Sequence, residues 1–515
     1  MAQQLQNITI SAPGFLGLNT QDSPIGLNPA YASIADNCVI DQLGRVGARK
    51  GYVPVTTNGP AVLGTSDGIC CILEFISRAN VTTVFSAGNN KIFTGTTTLV
   101  EVTLPVGYTI TDNEWKIVSF NNNVYFFQSE HAPLVSTAGS STLTLLASSG
   151  TNVPPQANEV VAAYGRLWAC DLVNNKYTLY WSSLLAGDEW HGGSSGSLDL
   201  TTVWPNGYDE VVALAEHNNF LLVFGKKNVL VFVGGESPAS DLSLHDTIEG
   251  TGCIARDSVQ STGTDLLFLS NRGLMSMGRL IQEKSLPLND ISSNVRSDLL
   301  AAIVQEIQSN GHRKAIRSVY NPVEAFYLLT LPESQVTYCF DVRAPLENGA
   351  FRVTTWTAIN PIGFSMFADD ELYMGRSEGI VKYDGYMDNT ANYQMRYFSN
   401  PTDFENASNL KFLKKFTMTV IGGSNTQAVL NWGYDYSSGY TKQSFDLSTA
   451  GNAGEYNVSE YNTTAEYTAS VTINTPKVNT SGSGEVVTVG LEAQINGVSF
   501  SIQKIDIHAL LGRLI

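Results

Sequence analysis

Between Val81 and Tyr383 the chain repeats one pattern seven times: a short apolar strand, a turn of Gly, Asn or Asp, and a second short apolar strand. The pairs are Val81 to Phe85 with Lys91 to Phe93, Val124 to Phe127 with Leu134 to Val135, Leu167 to Cys170 with Leu179 to Trp181, and Phe220 to Phe224 with Val229 to Val233. Leu266 to Leu269 with Leu274 to Met277, Ala325 to Leu331 with Val336 to Phe340, and Leu372 to Met374 with Ile380 to Tyr383 complete the series. Successive first strands lie 41, 44, 54, 45, 61 and 45 residues apart, the period range of four-stranded propeller blades. One blade cannot bury both of its faces, but stacking blades around an axis covers the faces and leaves only short edges. The aromatic residues at strand centres (Phe85, Phe126, Trp168, Phe224, Phe268, Tyr327 and Tyr373) are then expected to pack between blades. The predicted fold is mainly β, a β-propeller of six or seven blades, with a stack of β-sandwiches as the competing arrangement.

Two intervals are long, and each has a visible cause. Ile291, Val295, Leu299, Ala302, Ile303 and Ile307 recur at helical spacing, which predicts a helix from Ile291 to Gln308 capped by Asp290. This helical insertion, near residues 290–309, accounts for the 61-residue interval, and a loop at Gly192 to Gly196 accounts for the 54-residue one. The propeller is therefore assigned to residues 60–388. Residues 1–59 read as an irregular N-terminal arm punctuated by Pro13, Gly14, Gly17, Pro24 and Pro29, with a short helical stretch from Ala30 to about Asn37. Residues 389–515 return to long alternating strands. Lys411 to Ile421 and Gln427 to Tyr436 flank the Gly422-Gly423-Ser424-Asn425 turn, and Glu485 to Ile495 and Val498 to Ile507 flank Asn496-Gly497, a strong hairpin signal. These strands and the arm are expected to build an additional β-rich platform domain.

Composition narrows the function. The formal charge is −17, from 30 basic and 47 acidic residues, so the chain as a whole repels nucleic acid. Lys411, Lys414 and Lys415 alternate with apolar neighbours and read as an exposed strand face. Six scattered cysteines lack CxxC spacing and read as buried thiols. The start carries no apolar leader pattern, and no apolar run reaches membrane-spanning length. Ser66 sits in a formal GxSxG, but Ile69 to Phe75 reads as a strand where a nucleophile elbow needs a helix. The carboxylate groups Asp188/Glu189, Asp209/Glu210 and Asp369/Asp370/Glu371 are sequence neighbours, whereas glycoside hydrolysis needs two carboxyls on opposite sides of one bond. Trp190 and His191, beside the first of these, read as a loop packed on a blade edge. No catalytic residue, cofactor-binding motif or metal-ligand set is legible, so the chain reads as a non-enzyme without cofactors.

The two ends carry a resemblance. Gly14 to Pro24 (GFLGLNTQDSP), Ala32 to Asp41 (ASIADNCVID) and Arg45 to Tyr52 (RVGARKGY) resemble the opening of tail nozzle (tail tube or stabilisation) proteins of short-tailed bacteriophages. In that family a GLNT-x-DSP run, an A-x-x-x-x-N stretch and an R-x-G ending precede a propeller. Ile495 to Phe500 (INGVSF) and Ile502 to Arg513 (IQKIDIHALLGR) are similar to the family's C-terminus. The resemblance implies a structural virion protein: a homohexameric ring in the viral tail, below the portal and its adaptor, that extends the DNA-ejection channel. It also implies partners, namely the adaptor, tail fibres or spikes, and genomic DNA that passes without sequence-specific binding. The competing function is a glycan-binding or glycan-degrading tail propeller, which requires a concave axial pocket with convergent carboxylates and aromatics.

Overall fold

The computed structural model describes residues 5–64, 68–146, 153–205, 207–235, 241–278, 290–310, 315–424, 426–437, 439–447 and 473–514. Seven antiparallel sheets follow one another along the chain as blades 1 to 7: residues 71–101, 116–145, 157–199, 211–248, 260–276, 317–356 and 363–382. Six blades have four strands and blade 5, among the described residues, has three. The first strand of each blade is innermost, and these strands meet in sequence around the axis, with the turn Arg256–Ser258 bridging blade 4 to blades 5 and 6, until Gly363–Met366 meets Cys71–Ile76 and the ring closes. The fourth strand of blade 7 comes from the far end of the chain. Val53–Pro54 pairs with Gly379–Lys382, so the ring is locked by an N-terminal strand.

Local sequence explains the hairpins. Asn89-Asn90, Asn121-Asn122 and Asn218-Asn219 each place two consecutive residues at positive φ, the geometry of a two-residue turn whose twist matches the flanking strands. Asn tolerates that left-handed region better than other residues with a Cβ. Between blades, Phe85 meets Phe126 edge-on at 5.3 Å, and Phe224 packs on Phe268 at 4.9 Å. Trp168 is wholly buried between blades 3 and 4 and Tyr327 between blades 5 and 6, and half-buried Tyr373 stacks on Phe367 where blade 7 meets blade 1.

The platform consists of two facing sheets. One is built on the long strands Asn409–Gly422 and Phe500–Leu514, extended by Val46–Ala48 and Cys38–Ile40, with Leu5–Ser11 also paired to Phe500–Leu514. The other is a continuation of blade 6. Beyond Arg352–Trp356 the sheet runs through Tyr31–Asp36, Tyr393–Ser399, Val487–Ile495, Gln427–Tyr434 and Thr441–Asp446, and Gly17–Leu18, paired to Tyr31–Asp36 off this path, makes the tenth strand. A single apolar core joins blades 5 and 6, the helix Arg296–Asn310 and both platform sheets.

Several sequence expectations are corrected. Ala30 to Asn37 is not helical: Tyr31–Asp36 is a strand bonded on both sides within the ten-stranded sheet, and that pairing overrides the helix preference of its alanines. Gly422-Gly423 and Asn496-Gly497 do not close hairpins. At each, the chain crosses from one platform sheet to the other, which lets both sheets turn an apolar face inward. The two corners are pinned together, with Gly423 N–H donating to the Ser499 carbonyl at 2.8 Å and Thr426 Oγ1 to Asn496 Oδ1 at 3.2 Å. The helix starts at Arg296, after a 3-10 turn at Ser293–Val295, and Asp290 does not cap it; Asp290 is buried and ion-paired with Arg296. Lys411 is buried rather than exposed, its ammonium donating to the Asn406 carbonyl, and burial lowers its pKa.

Candidate functional site

Two polar hubs organise the molecule; the residues of the first form no sequence motif, while those of the second fall in the N-terminal runs that carry the resemblance. The first occupies the propeller axis. Lys116 and Glu159 lie on the innermost strands of blades 2 and 3, Arg317 on that of blade 6, Arg256 and Asp257 in the turn entering blade 5, and Glu114 just before blade 2. Lys116 Nζ is 3.0 Å from Glu159 Oε2 and 3.9 Å from Asp257 Oδ1. Arg256 reaches Asp257 at 2.8 Å and Glu159 at 3.8 Å, and donates to the Asn158 carbonyl at 2.7 Å. Arg317 pairs with both Glu114 and Asp257, and its Nε donates to the Ile362 carbonyl at 3.3 Å, at the entry to blade 7. Blade 1 joins through Cys71, whose thiol donates to the Trp115 carbonyl at 3.0 Å. Three cations thus face three carboxylates, and Lys116, Arg256, Arg317 and Asp257 line a cavity of about 160 Å³.

The electrostatics of this hub are uneven. For Asp257, burial pushes the pKa up, but Arg256, Arg317 and Lys116 outweigh it and hold the carboxyl well below its usual range. For Glu159, at 1 % exposure, burial dominates over Lys116 and Arg256, and its pKa is raised. Burial likewise pushes the Cys71 thiol up to about 12, so it stays protonated and is not a nucleophile at neutral pH. Each of the three carboxylates is engaged by at least one cation.

The second hub is the N-terminal weave, and it explains the motifs at the chain's start. Asn19 Oδ1 accepts the N–H groups of Gln21 and Asp22 at 3.2 and 3.1 Å, while its Nδ2 donates to Asp22 Oδ2 at 2.9 Å. The turn so formed presents Gln21 to the helix start, where Ser297 N–H and Oγ donate to Gln21 Oε1 at 3.1 and 2.7 Å. Asn37, at φ 52°, ends the Tyr31–Asp36 strand; its Oδ1 accepts Arg49 Nε at 3.1 Å and its Nδ2 donates to the Gln394 carbonyl at 3.0 Å. Arg49 is completely buried, forks onto Asp388 at 2.8 and 2.7 Å, and lies 4.0 Å over the Tyr393 ring. Asn19 therefore fastens the arm to the inserted helix, Asn37 to the platform, and Arg49 to both the propeller exit and the platform.

The carboxylates singled out in the sequence are not gathered into a site. Asp209 is buried and accepts the N–H groups of Lys226, Lys227 and Asn228, a structural clamp on the turn within blade 4. Glu210 pairs with Lys226, and Glu371 with Lys382. Asp369 accepts Glu371 N–H, and Glu189 accepts His191 N–H at 3.2 Å. Trp190 is buried against Phe127 between blades 2 and 3, with Nε1 donating to the Gly187 carbonyl. Ser66 lies outside the described residues. The hub residues carried one signal that register could have revealed: Lys116, Glu159 and Arg317 interrupt the innermost strands of different blades with charge.

No protein-family model matches the chain, and no curated protein does. Solved structures align loosely. The WD40 domain of Pan2 from Neurospora crassa covers 65% of this chain and 95% of its own at 7% identity and a TM-score of 0.38. The WD40 β-propeller domain of Doa1 covers 62% and 93% at 12% identity and 0.31. The extracellular domain of BT4673 from B. thetaiotaomicron covers 69% of this chain at 12% identity and 0.32. The chain spans 39% of that domain's length and 37% of the length of PorZ from Porphyromonas gingivalis. The class of protein defined here is a propeller with a platform grown from one of its blades, and sheet topology alone establishes it.

Proposed function

We propose that this chain is a structural wall protein, the tail nozzle subunit of a short-tailed phage, acting without catalysis as part of a homohexameric ring. The observation that carries the reading is the ten-stranded sheet in which blade 6 joins the platform through the parallel pair Thr355↔Asp36, over an apolar core that both share. The shared core and the sheet junction make propeller and platform one stiff body, which suits a wall segment under load better than a hinged binding module. The neutralised axial hub supports the same reading, since its carboxylates are engaged by cations rather than arrayed around an open cleft. In this reading DNA passes through the lumen between subunits, and the acidic balance of the chain gives that lumen a surface DNA does not adhere to. The adaptor above and fibres or spikes at the side are its partners in the virion tail.

Electron microscopy of the purified chain, alone and with the adaptor, tests the proposal. A six-fold ring with an acid-rich lumen is expected. Particles that stay monomeric with the adaptor, or a ring lumen dominated by Lys and Arg, would contradict it. Release of oligosaccharide from host capsule or lipopolysaccharide would establish the glycan-degrading alternative instead.

A further inference from the structure

Leu5–Ser11 forms the outer strand of one platform sheet, paired in unbroken register with Phe500–Leu514 from Leu5↔Leu510 to Ser11↔Lys504. Among the described residues it has no other strand partner, so one row of its backbone N–H and C=O groups faces outward. Proteins guard such edges with charge, proline or a bulge, because an open edge accepts further strands. This edge has none of the three: its sequence is LQNITIS. The edge strand at the far side of the other sheet, Thr441–Asp446, is guarded by Lys442 and Asp446, and Lys442 is tied to Glu492 at 3.3 Å.

A cavity of about 840 Å³ opens beside the unguarded edge. Gln6 and Ile8 line one wall, and Leu27, Asp403, Phe404 and Glu405 line the other. Phe404 and Glu405 both hold positive φ, at 55° and 59°, an outlying conformation for a bulky residue. The turn backs Phe404 into the core and puts Glu405 on the surface. Backbone strain of this kind gathers where a site is being shaped. The lining includes two carboxylates and no basic side chain, and Lys411 beneath the loop spends its ammonium on the Asn406 carbonyl.

We propose that this edge and groove receive an extended segment of another protein by strand addition, with lysine or arginine flanking an alternating apolar stretch. Main-chain bonds to Leu5–Ser11 supply the affinity. Every second side chain of the added strand points into the groove over Ile8 and Leu27, and the flanking cations meet Asp403 and Glu405. A second copy of this chain is a poor occupant, since its charge is −17. The inference stands apart from the nozzle reading, for it concerns the single chain in solution.

The probe is a synthetic peptide of alternating valine and threonine with two lysines at each end, followed by hydrogen exchange of the full chain and by fluorescence anisotropy. Exchange across residues 5–11 is expected to slow at least tenfold while residues 441–446 are unaffected. The same peptide with glutamates for lysines should bind at least tenfold more weakly, and the Asp403→Lys/Glu405→Lys chain should reverse that order. Glu405→Lys alone, at an exposed position, should shrink the preference without disturbing the fold. Protection of neither edge, equal protection of both, or an unchanged preference in both variants would overturn the proposal. Concentration-dependent protection of residues 5–11 without peptide would also overturn it, by making a second copy the occupant.

Discussion

Asp257 and Glu159 share one ion network yet are displaced in opposite directions, because Asp257 has three cations around it while Glu159 is buried more completely. Asp257, depressed on folding, contributes stability that is present above its unfolded pKa of about 4 and is lost as the pH falls below it. Glu159, raised on folding, favours the folded state in acid, and that contribution is lost as the pH rises through the carboxylate range. Asp257→Asn breaks a buried pair and should destabilise the chain by about 3–5 kcal/mol at pH 7, as well as flattening the acid limb of its stability curve. Glu159→Gln removes a charge that burial already disfavours and should cost about 1–3 kcal/mol. Urea titrations across pH 3 to 8 measure both, and the reverse ranking would contradict the assignment. Sequence reasoning missed these residues because a carboxylate's role depends on which cations the ring brings beside it, not on its chain neighbours. Asp209 and Glu210 make the same point, since adjacency suggested a pair while folding sent one inward to clamp a turn and left the other at the surface.

At the scale of elements, the seven apolar pairs in the sequence are the second and third strands of the seven blades. These are the middle strands, covered on both faces, so they read as short apolar runs. The innermost strands mix apolar residues with the charges of the axial hub, as in Lys116–Phe120 and Ala157–Ala163, and of these only the stretch around Cys71–Ile76 reads as a strand in the sequence. Outer strands such as Val100–Glu101 and Thr144–Leu145 are two residues long and gave no legible pattern. The lock of the ring is an outer strand of this kind. Thr56 Oγ1 accepts Ile380 N–H at 3.0 Å and donates to the Thr96 carbonyl at 2.7 Å, tying blade 7 to blade 1 just after Val53–Pro54. Thr56→Val should cost about 1–3 kcal/mol by leaving that N–H unpaired. Gly375 permits a still closer approach at the same seam, where an added Cβ would lie 1.9 Å from the Ile69 carbonyl oxygen. Gly375→Ala should therefore cost at least the 1–3 kcal/mol typical of overpacking, roughly, with hydrogen exchange rising first in blades 7 and 1. Unchanged exchange there would show that the seam is not where the ring opens.

For the whole molecule, the shared core and the sheet that leaves blade 6 make propeller and platform thermodynamically one body. A chain cut after residue 388 would strip Tyr393–Ser399 from one side of Tyr31–Asp36 and expose the apolar faces of blades 5 and 6, so it should aggregate or lose protection in blade 6. A soluble truncated chain with blade 6 intact would refute that coupling. Deleting the arm is no cleaner an experiment, because its strands belong to three sheets: Leu5–Ser11 and Tyr31–Asp36 to the platform, Val53–Pro54 to the propeller.

Hydrophobic periodicity determined the β class, the blade period, the two insertions and most of the long platform strands, because these follow from which short segments must be buried. The Asn and Gly turns were equally local, since positive φ is a property of single residues. Only the tertiary structure decided which turns close hairpins and which carry the chain between sheets, that the arm is woven through both domains, and that six charges from blades distant in sequence meet on one axis. Those outcomes rest on pairing and charge contacts between segments hundreds of residues apart, such as Thr355 with Asp36 or Arg317 with Glu114, and no local pattern encodes the partner.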